Sequence, residues 1–504
     1  MKRWCVKNLN KALGEWELLL GCEQFVCYNN KVIQDIGEFS SRKVPAILYP
    51  TNLKEVQEVV RIANVYGVPL HTFSIGRNWG NGSRLPVEDA VLVELSRMHK
   101  VIEVNQKFQY VVLEPGVTQG QLTTFLNNRN SSLVANIGGA GTSVSVIGNL
   151  LDRGSGIYGC KTNECLAMEV VLGSGETIRT GFWNYDNPPS NDMAFYPLGI
   201  GPDIRGLFIQ SNFGIVTKMA VRLFEKRERT ITVIGATSCQ LVHLVNVTHE
   251  LRKLGLLEKG IDISDANAQC DYYQSPDHED TNKEIKWNVI GALSGPESLS
   301  KTICNTIKSK LRHSGLDVRF FNTNILQTDQ HLSEFSWMND WVKRYRGKVD
   351  NSHLSLLTDK INDNLDLDND PHCKGFLCVN VAVPMDGDMV VKIIDISTRI
   401  AKSLGLKTYI RGFSDLGVDA LKGHFSVIFN RKNQSEIKQA HKWKNMLYLQ
   451  LRHIGIYPQR LDIDSMQDFT LASQNDYWRT LKKIKNALDP NNILSPGRYL
   501  VNDQ

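Results

Sequence analysis

Apolar residues recur at helical spacing at Val56, Val59, Val60 and Ala63, with Lys54, Glu55, Glu58 and Arg61 on the opposite face, which predicts an amphipathic helix. Pro50-Thr51-Asn52 supplies a turn and an N-cap ahead of it, and Gly67 with Pro69 closes it. Ile47-Leu48-Tyr49 before the helix and Leu70-His71-Thr72-Phe73 after it read as short strands, so residues 46–73 form a strand-helix-strand unit. Alternating apolar positions then predict strands at 91–93 and 110–114 and a hairpin at 168–176 turning on Gly173-Ser174-Gly175, while 119–127 reads as a helix.

The pattern changes near residue 229. Strands such as 232–234 and 376–381 alternate with helices to about residue 455, and polar loops intrude at 271–280 and 359–370. Trp478, Leu481, Ile484 and Leu488 then return to helical spacing and are followed by Asp489-Pro490, a segment expected to pack back on the first unit. At roughly 150 residues per domain, 504 residues accommodate about three units, or two large interleaved ones. The expected division is 1–228 (core 45–226), 229–455, and 456–504 returning to the first domain, in an α+β fold.

With 42% hydrophobic and 22% charged residues the chain is globular, and a net charge of +5 asks for neither nucleic acid nor an anionic membrane as partner. None of the ten cysteines forms the C-x-x-C pair favoured by structural zinc, and C-x-x-C-H, the haem attachment motif, is missing, so unpaired thiols in a reducing compartment are expected. The basic N-terminus lacks a following apolar stretch, and no segment approaches the roughly 18 apolar residues of a membrane span, which makes a cytoplasmic location the expectation. The Asp-rich loop at 359–370 lacks the glycine and terminal glutamate of a calcium loop and reads as a solvated surface, so no metal site is expected.

Neither Gly139-Ala140-Gly141 nor Gly199-Ile200-Gly201 continues into a dinucleotide fingerprint, and neither a Walker A sequence nor a G-x-S-x-G elbow occurs. Ser74-Ile75-Gly76-Arg77-Asn78-Trp79-Gly80-Asn81-Gly82-Ser83 offers adjacent backbone N–H groups, little side-chain obstruction and a cation at Arg77. That is pyrophosphate-cradle chemistry, with a plain surface turn as the alternative. A second small-residue stretch, 138–149, precedes a helical segment at 149–154, and two such loops suit a long, doubly phosphorylated ligand.

At these positions the sequence resembles the FAD-binding fold of the vanillyl-alcohol oxidase and p-cresol methylhydroxylase flavoproteins. The resemblance rests on Ser74-Ile75-Gly76-Arg77-Asn78, residues 112–118, Ser145-Val146-Ile147-Gly148-Asn149, Asp152-Arg153-Gly154, residues 168–172, Gly201-Pro202 with residues 210–218, Leu488-Asp489-Pro490 and Pro496-Gly497-Arg498. It runs from about Pro45 to Phe224 and again at the C-terminus. It implies a PCMH-type FAD-binding domain of two α+β subdomains, with a cap domain built on an antiparallel sheet covered by helices. It also implies that the amides of Ser74, Ile75, Gly76, Arg77, Asn78 and Trp79 hold the pyrophosphate. Ser145, Gly148, Asn149, Asp152 and Gly154 would line the flavin side, Ile215 and Val216 would offer backbone groups, and Arg498 would help secure the cofactor.

In this family the flavin is often bonded through a histidine, or in one branch a tyrosine, on a cap strand just before a motif like Val427-Ile428-Phe429-Asn430. Lys422 or Gly423 falls there, with His424 one residue away. A one-residue slip reverses the face of a strand side chain, so non-covalent FAD is the expectation and attachment through His424 the alternative. His71 reads as a packed strand histidine. The family's phenol-oxidising members set two tyrosines and an arginine around the phenolate, and an aspartate near the reactive flavin nitrogen. Here Arg460 fits, Asn81 and Gln459 stand in place of the tyrosines, and a small residue near Ala140 replaces the aspartate. Arg460, with Gln459 and Tyr457 beside it, is therefore the expected substrate site, suited to a carboxylate or another anion.

The resulting expectation is an FAD-dependent oxidoreductase that takes a hydride from a C–H bond of a small molecule to flavin N5 and is reoxidised by O2 or an electron carrier, with a homodimer left open. The alternatives are a flavin-binding protein that has lost catalysis and serves as an assembly partner, and a cytochrome-coupled dehydrogenase subunit.

Overall fold

The helix Leu53–Tyr66 buries Val56, Val59, Val60 and Ala63, the four positions its periodicity singles out. Asn52 caps it by accepting the Glu55 N–H at 3.0 Å, and the chain leaves through Gly67 at φ 63°, where a side chain would be strained. The computed structural model describes residues 5–33, 35–185, 194–226, 229–265, 286–322, 338–361, 366–471 and 475–500. Leu70–Phe73 follows the helix as a strand parallel to Val91–Glu94, which is itself parallel to Lys43–Leu48. The antiparallel strand Phe25–Val32 completes a four-stranded sheet. A helix not foreseen above, Val6–Leu20, covers this sheet with Ala12, Trp16 and Leu20, and the Trp16 indole donates to the Val59 carbonyl at 3.2 Å.

His71 lies in this layer with no exposed surface. Its Nε2 donates to the Ser83 carbonyl at 3.0 Å and its Nδ1 accepts from the Ser495 hydroxyl at 3.3 Å, so the neutral ring is fully used. Burial, with Arg498 nearby, lowers its pKa to about 3. The folded value lies below the unfolded one, so the unfolded chain binds the extra proton. The stability that depends on the neutral ring is present above about pH 6.5 and is lost as the pH falls toward 3, by an amount on the order of 4 kcal/mol. His71→Gln should flatten the acid limb of the stability curve relative to wild type, as read by urea midpoints at pH 7, 5 and 4. Parallel acid limbs would show that the histidine does not titrate against folding.

A second, five-stranded antiparallel sheet runs in the order Thr177–Arg179, Cys165–Val171, Ile215–Arg222, Tyr110–Leu113 and Val101–Asn105. Leu122 and Leu126 of the helix Gln119–Asn128 pack on it together with Trp478, Leu481, Ile484 and Leu488 of the helix Asp476–Leu488, so the C-terminal helix does return to this part of the chain. The short helix at the end of the second loop spans Val146–Leu151, three residues earlier than expected. Ser145 sets its start by accepting the Gly148 N–H at 2.8 Å.

The cap is one eight-stranded antiparallel sheet in the order Asp317–Asn322, Arg229–Ala236, Trp287–Ser294, Asp262–Asp265, Thr408–Asp415, Ala420–Phe429, Gly375–Pro384 and Tyr457–Arg460. Leu244, Ile307, Ile393 and Trp443, from four helices, join Phe413 and Phe425 of the sheet in its main core. The last strand revises the expected division of the chain: Tyr457–Arg460 was placed in the returning segment, but it pairs with Gly375–Pro384 as the edge of the cap sheet. The polar loop at 271–280 lies outside the described residues. The other Asp-rich loop is exposed at residues 359–361 but not at its second end, where Asp368 is fully buried and Asp366 accepts from Arg84. Among the described residues no helix is long and apolar enough to cross a membrane, and no group of three or more His, Cys, Asp or Glu side chains could hold a metal ion.

Candidate active site

The strand Leu70–Phe73 feeds directly into the first glycine-rich loop, and the cap sheet faces that loop across a cavity of about 390 Å³. Ser74, Ile75, Gly76, Arg77, Asn78 and Trp79 line the cavity on one side with Ser145, Gly148, Asn149, Asp152, Gly154, Ile215, Val216 and Arg498. Lys422, His424 and Arg460 line it from the cap. Three distant stretches of sequence therefore converge on one space.

The first loop has the form of an anion cradle. Among the described residues, no acceptor meets the N–H groups of Ile75, Gly76, Arg77 or Asn78. Gly76 sits at φ 76°, and a Cβ there would lie 2.2 Å from the Arg84 side chain, so only glycine lets the loop turn. Gly148 approaches Ser74 so closely that a Cβ would lie 2.9 Å from its hydroxyl, and a Cβ on Gly154 would fall 2.2 Å from Asn149 Oδ1. That same Asn149 oxygen is buried without a hydrogen-bond partner. Free amides and an orphaned acceptor along bare backbone fit a ligand that carries a pyrophosphate along its length and a ring N–H beyond it, as FAD does.

Side chains around the cradle form a network. Asp152 accepts from Asn78 Nδ2 at 2.8 Å and from Arg498 Nη2 at 2.9 Å. Asn78 Oδ1 in turn accepts from Arg460 Nη1 at 2.9 Å, which ties the cap edge strand to the first loop. Arg77 is engaged as well: its guanidinium meets Asp366 at 2.5 Å, a carboxylate that also pairs with Arg84 at 3.2 Å. Against the upward push of burial, Arg77 and Arg84 hold Asp366 below the usual carboxylate range. The charge expected to be free for a pyrophosphate is thus partly neutralised by the cap, and the unpaired amides carry more of the cradle's potential. Sequence spacing could not reveal this, because Asp366 lies in the loop read as solvated.

The three expected substrate residues separate. Arg460 is 8% exposed, faces the cavity, and has its Nε buried without a partner. Gln459 does not reach the cavity: its Nε2 donates to the Arg153 carbonyl at 2.8 Å, so it braces the turn after Asp152. Tyr457 is 55% exposed and also lies outside the cavity. The strand pairing explains both corrections: Gln459 is the extra residue of a bulge between Pro458 and Arg460, and Tyr457, which pairs with Ala382, shares the face of Arg460 but lies at the exposed end of the strand, outside the cavity. Asn81, standing where a tyrosine was sought, is buried and donates to Asn78 Oδ1 at 3.2 Å.

His424 and Lys422 share the cavity face of Ala420–Phe429, with Gly423 between them turned into the core. His424 Nδ1 meets Asn380 Oδ1 at 2.6 Å. Lys422, which with Gly423 falls at the attachment position in the sequence, carries no role there. Its ammonium donates to the Ser155 hydroxyl at 3.0 Å, and burial, then Arg460, lowers its pKa to about 8. Asp262, another lining residue that sequence reasoning missed, is raised to about 7 by burial, with Arg344 and Lys422 pulling it back down. Strand alternation from His424 could have flagged Lys422; nothing local marks Asp262.

The FAD binding domain family model matches residues 44–181, the stretch that holds both cradle loops. The chain is 29% identical to a 1'-carboxy-chondrochloren decarboxylase from Chondromyces crocatus, over 91% of each protein. It is 26% identical to the flavoprotein subunit of 4-cresol dehydrogenase [hydroxylating] from Pseudomonas putida, over 98% of this chain and 94% of the relative. The crystal structure of p-cresol methylhydroxylase with substrate bound superposes with a TM-score of 0.85 at 25% identity, covering 100% of this chain and 99% of that one. With the cradle, the cap sheet and the end-to-end likeness all in agreement, the chain is an FAD-dependent oxidoreductase, similar along its whole length to flavoproteins of the vanillyl-alcohol oxidase and p-cresol methylhydroxylase family.

Proposed function

We propose that this protein oxidises a small anionic molecule at a C–H bond, in the cavity between the cradle loops and the cap sheet, with FAD held non-covalently. Bound FAD would accept the hydride at its N5. The chain's residues supply the rest. The amides of Ile75 to Asn78 and the side chain of Arg77 hold the phosphates, Gly148 and Gly154 let the backbone approach the cofactor, and Asp152 keeps Asn78 and Arg498 in place. The observation that carries the reading is Arg460, a buried guanidinium with an unpartnered Nε that opens onto the same cavity as both loops. A cation in that position orients an anionic group and excludes water from it.

Two relatives bracket the substrate: one is named for 4-cresol, the other for a carboxylated compound that it decarboxylates. The phenol reading has less support here, because Asn81 and Gln459 replace the tyrosines and both are committed to internal hydrogen bonds. Reoxidation falls to O2 or an electron carrier; the 4-cresol relative is named as a flavoprotein subunit.

Purified protein is expected to be yellow, with FAD in about a one-to-one ratio that acid precipitation releases into the supernatant. Flavin that stays with the precipitate would instead favour attachment, with His424 the first candidate. Anaerobic titration with a panel of benzylic alcohols, phenols, amines and hydroxy acids should bleach the flavin with one class. Arg460→Ala should slow that reduction about ten- to a hundredfold in kcat/KM, and Arg460→Lys should recover only part of it. Colourless protein that takes up no added FAD, or a flavin that no panel member reduces, would reject the reading.

A further inference from the structure

The charges that line the cavity do not balance. Arg77 is answered by Asp366 and Arg498 by Asp152, at 2.5 and 2.9 Å. Lys422 and Arg460, by contrast, have no carboxylate within ion-pair distance among the described residues. Lys422 donates only to the neutral Ser155 hydroxyl, and Arg460 only to the neutral Asn78 amide oxygen. Asp262, which also lines the cavity, feels Arg344 and then Lys422 through space.

Strand geometry sets the spacing of the two cations. His424 pairs with Asn380, and Asn380 pairs with Arg460, so two inter-strand steps separate the strands that carry Lys422 and Arg460. Lys422 lies two residues along its strand from His424, on the same face. Two steps of about 4.8 Å across and two residues of about 3.4 Å along place the backbones about 12 Å apart. Side chains of this length can then reach toward a common point from either side. The Arg460 charge disfavours a proton on Lys422 in this partly dry cavity, and an anion seated between the two would offset that repulsion.

From this geometry we infer that Lys422 and Arg460 jointly seat a carboxylate carried by the substrate, which makes the substrate a small carboxylic acid. The inference rests on the oxidoreductase reading above and narrows it. One carboxylate offers an oxygen to each donor, the Lys422 ammonium and the Arg460 guanidinium, while Asp262 is drawn to Arg344 ahead of Lys422. An anion between them also keeps Lys422 protonated, against the burial that otherwise lowers its pKa to about 8. Ser155 fixes the ammonium, and Asn78 fixes one arm of the guanidinium, so both donors are oriented before the ligand arrives.

The test uses the FAD-loaded protein and pairs of probes: acetate, 2-hydroxybutyrate, benzoate and phenylacetate, each beside its primary amide. Binding is read as perturbation of the flavin absorbance and, independently of the flavin, as a shift in thermal midpoint. At least one carboxylate should bind about tenfold or more tighter than its amide. Lys422→Met should erase that preference, weakening the acid about ten- to a hundredfold while the amide changes by less than about threefold, and Lys422→Arg should restore part of it. Equal affinities for acid and amide in the wild type would overturn the inference. So would a Lys422→Met variant that keeps the preference, or one whose only defect is weaker FAD binding, which would assign the missing anion to the cofactor. Protein without flavin would sink the oxidoreductase reading, while the thermal shift would still decide the carboxylate.

Discussion

Arg77→Glu should strip the protein of its flavin and lower its thermal stability together. The guanidinium lines the cradle and meets Asp366 at 2.5 Å, with side-chain exposures of 14% and 30%. A glutamate would present a carboxylate to the phosphates on one side and to Asp366 on the other. Two like charges about 4 Å apart repel by about 4 kcal/mol at an effective dielectric of 20, less here because Asp366 is nearly a third exposed and Arg84 remains to bridge the pair. FAD affinity should fall by about a hundredfold or more, measured by fluorescence quenching on apoprotein at fixed ionic strength. Combining Arg77→Glu with Asp366→Arg restores an ion pair of reversed polarity. The thermal midpoint should recover while FAD affinity stays low, because the anion still faces the phosphates. Full flavin retention in the single variant would mean that Arg77 serves the cap loop alone.

The second large effect is expected at Lys485, far from the cavity in chain position but joined to it by the returning segment. Its ammonium is 2% exposed and donates to Asp489 Oδ2 at 2.6 Å and to the Leu494 carbonyl at 3.0 Å. Asp489 is fully buried and accepts the Ile493 and Leu494 N–H groups at 3.0 and 2.8 Å. This knot fixes residues 493–495 against Leu70, which donates to the Ile493 carbonyl and accepts the Ser495 N–H at 2.8 and 2.7 Å. Leu494, Ser495 and Arg498 then reach the cavity. Lys485→Met leaves the Asp489 charge buried and uncompensated, at a cost of about 3 to 5 kcal/mol out of a total stability of about 5 to 15. Adding Asp489→Asn removes that charge while keeping an acceptor, and should return part of the loss. A Lys485→Met urea midpoint equal to wild type would show that the pair contributes nothing.

The local elements were legible because their causes are local. Val56, Val59, Val60 and Ala63 lie within two helical turns, and Asn52 and Gly67 bound them with groups only three or four residues from their partners. The helix Val6–Leu20 carries the same signal in Ala12, Trp16 and Leu20, spaced four residues apart. The cradle loops could be recognised for a related reason: bare amides depend on glycine and small residues at fixed short spacings, which sequence preserves.

Which charge meets which was decided by the tertiary structure. Arg77 and Asp366 are 289 positions apart, Asn78 and Arg460 are 382, and no pattern along the chain links them. Whether Tyr457, Gln459 or Arg460 faces the cavity depends on the register of an edge strand, where a single residue reverses the side, and the bulge opposite Asn380 and Val381 sets that register. The Asp-rich loop shows the same limit: composition marks it as solvated, yet folding buries Asp368 and gives Asp366 two arginines. Sequence by itself determined the elements, the cradle and the family resemblance, since these rest on short-range spacing and backbone freedom. Only the packed cap sheet decided the electrostatics of the cavity, because Coulomb interactions act between side chains that nothing but the fold brings together.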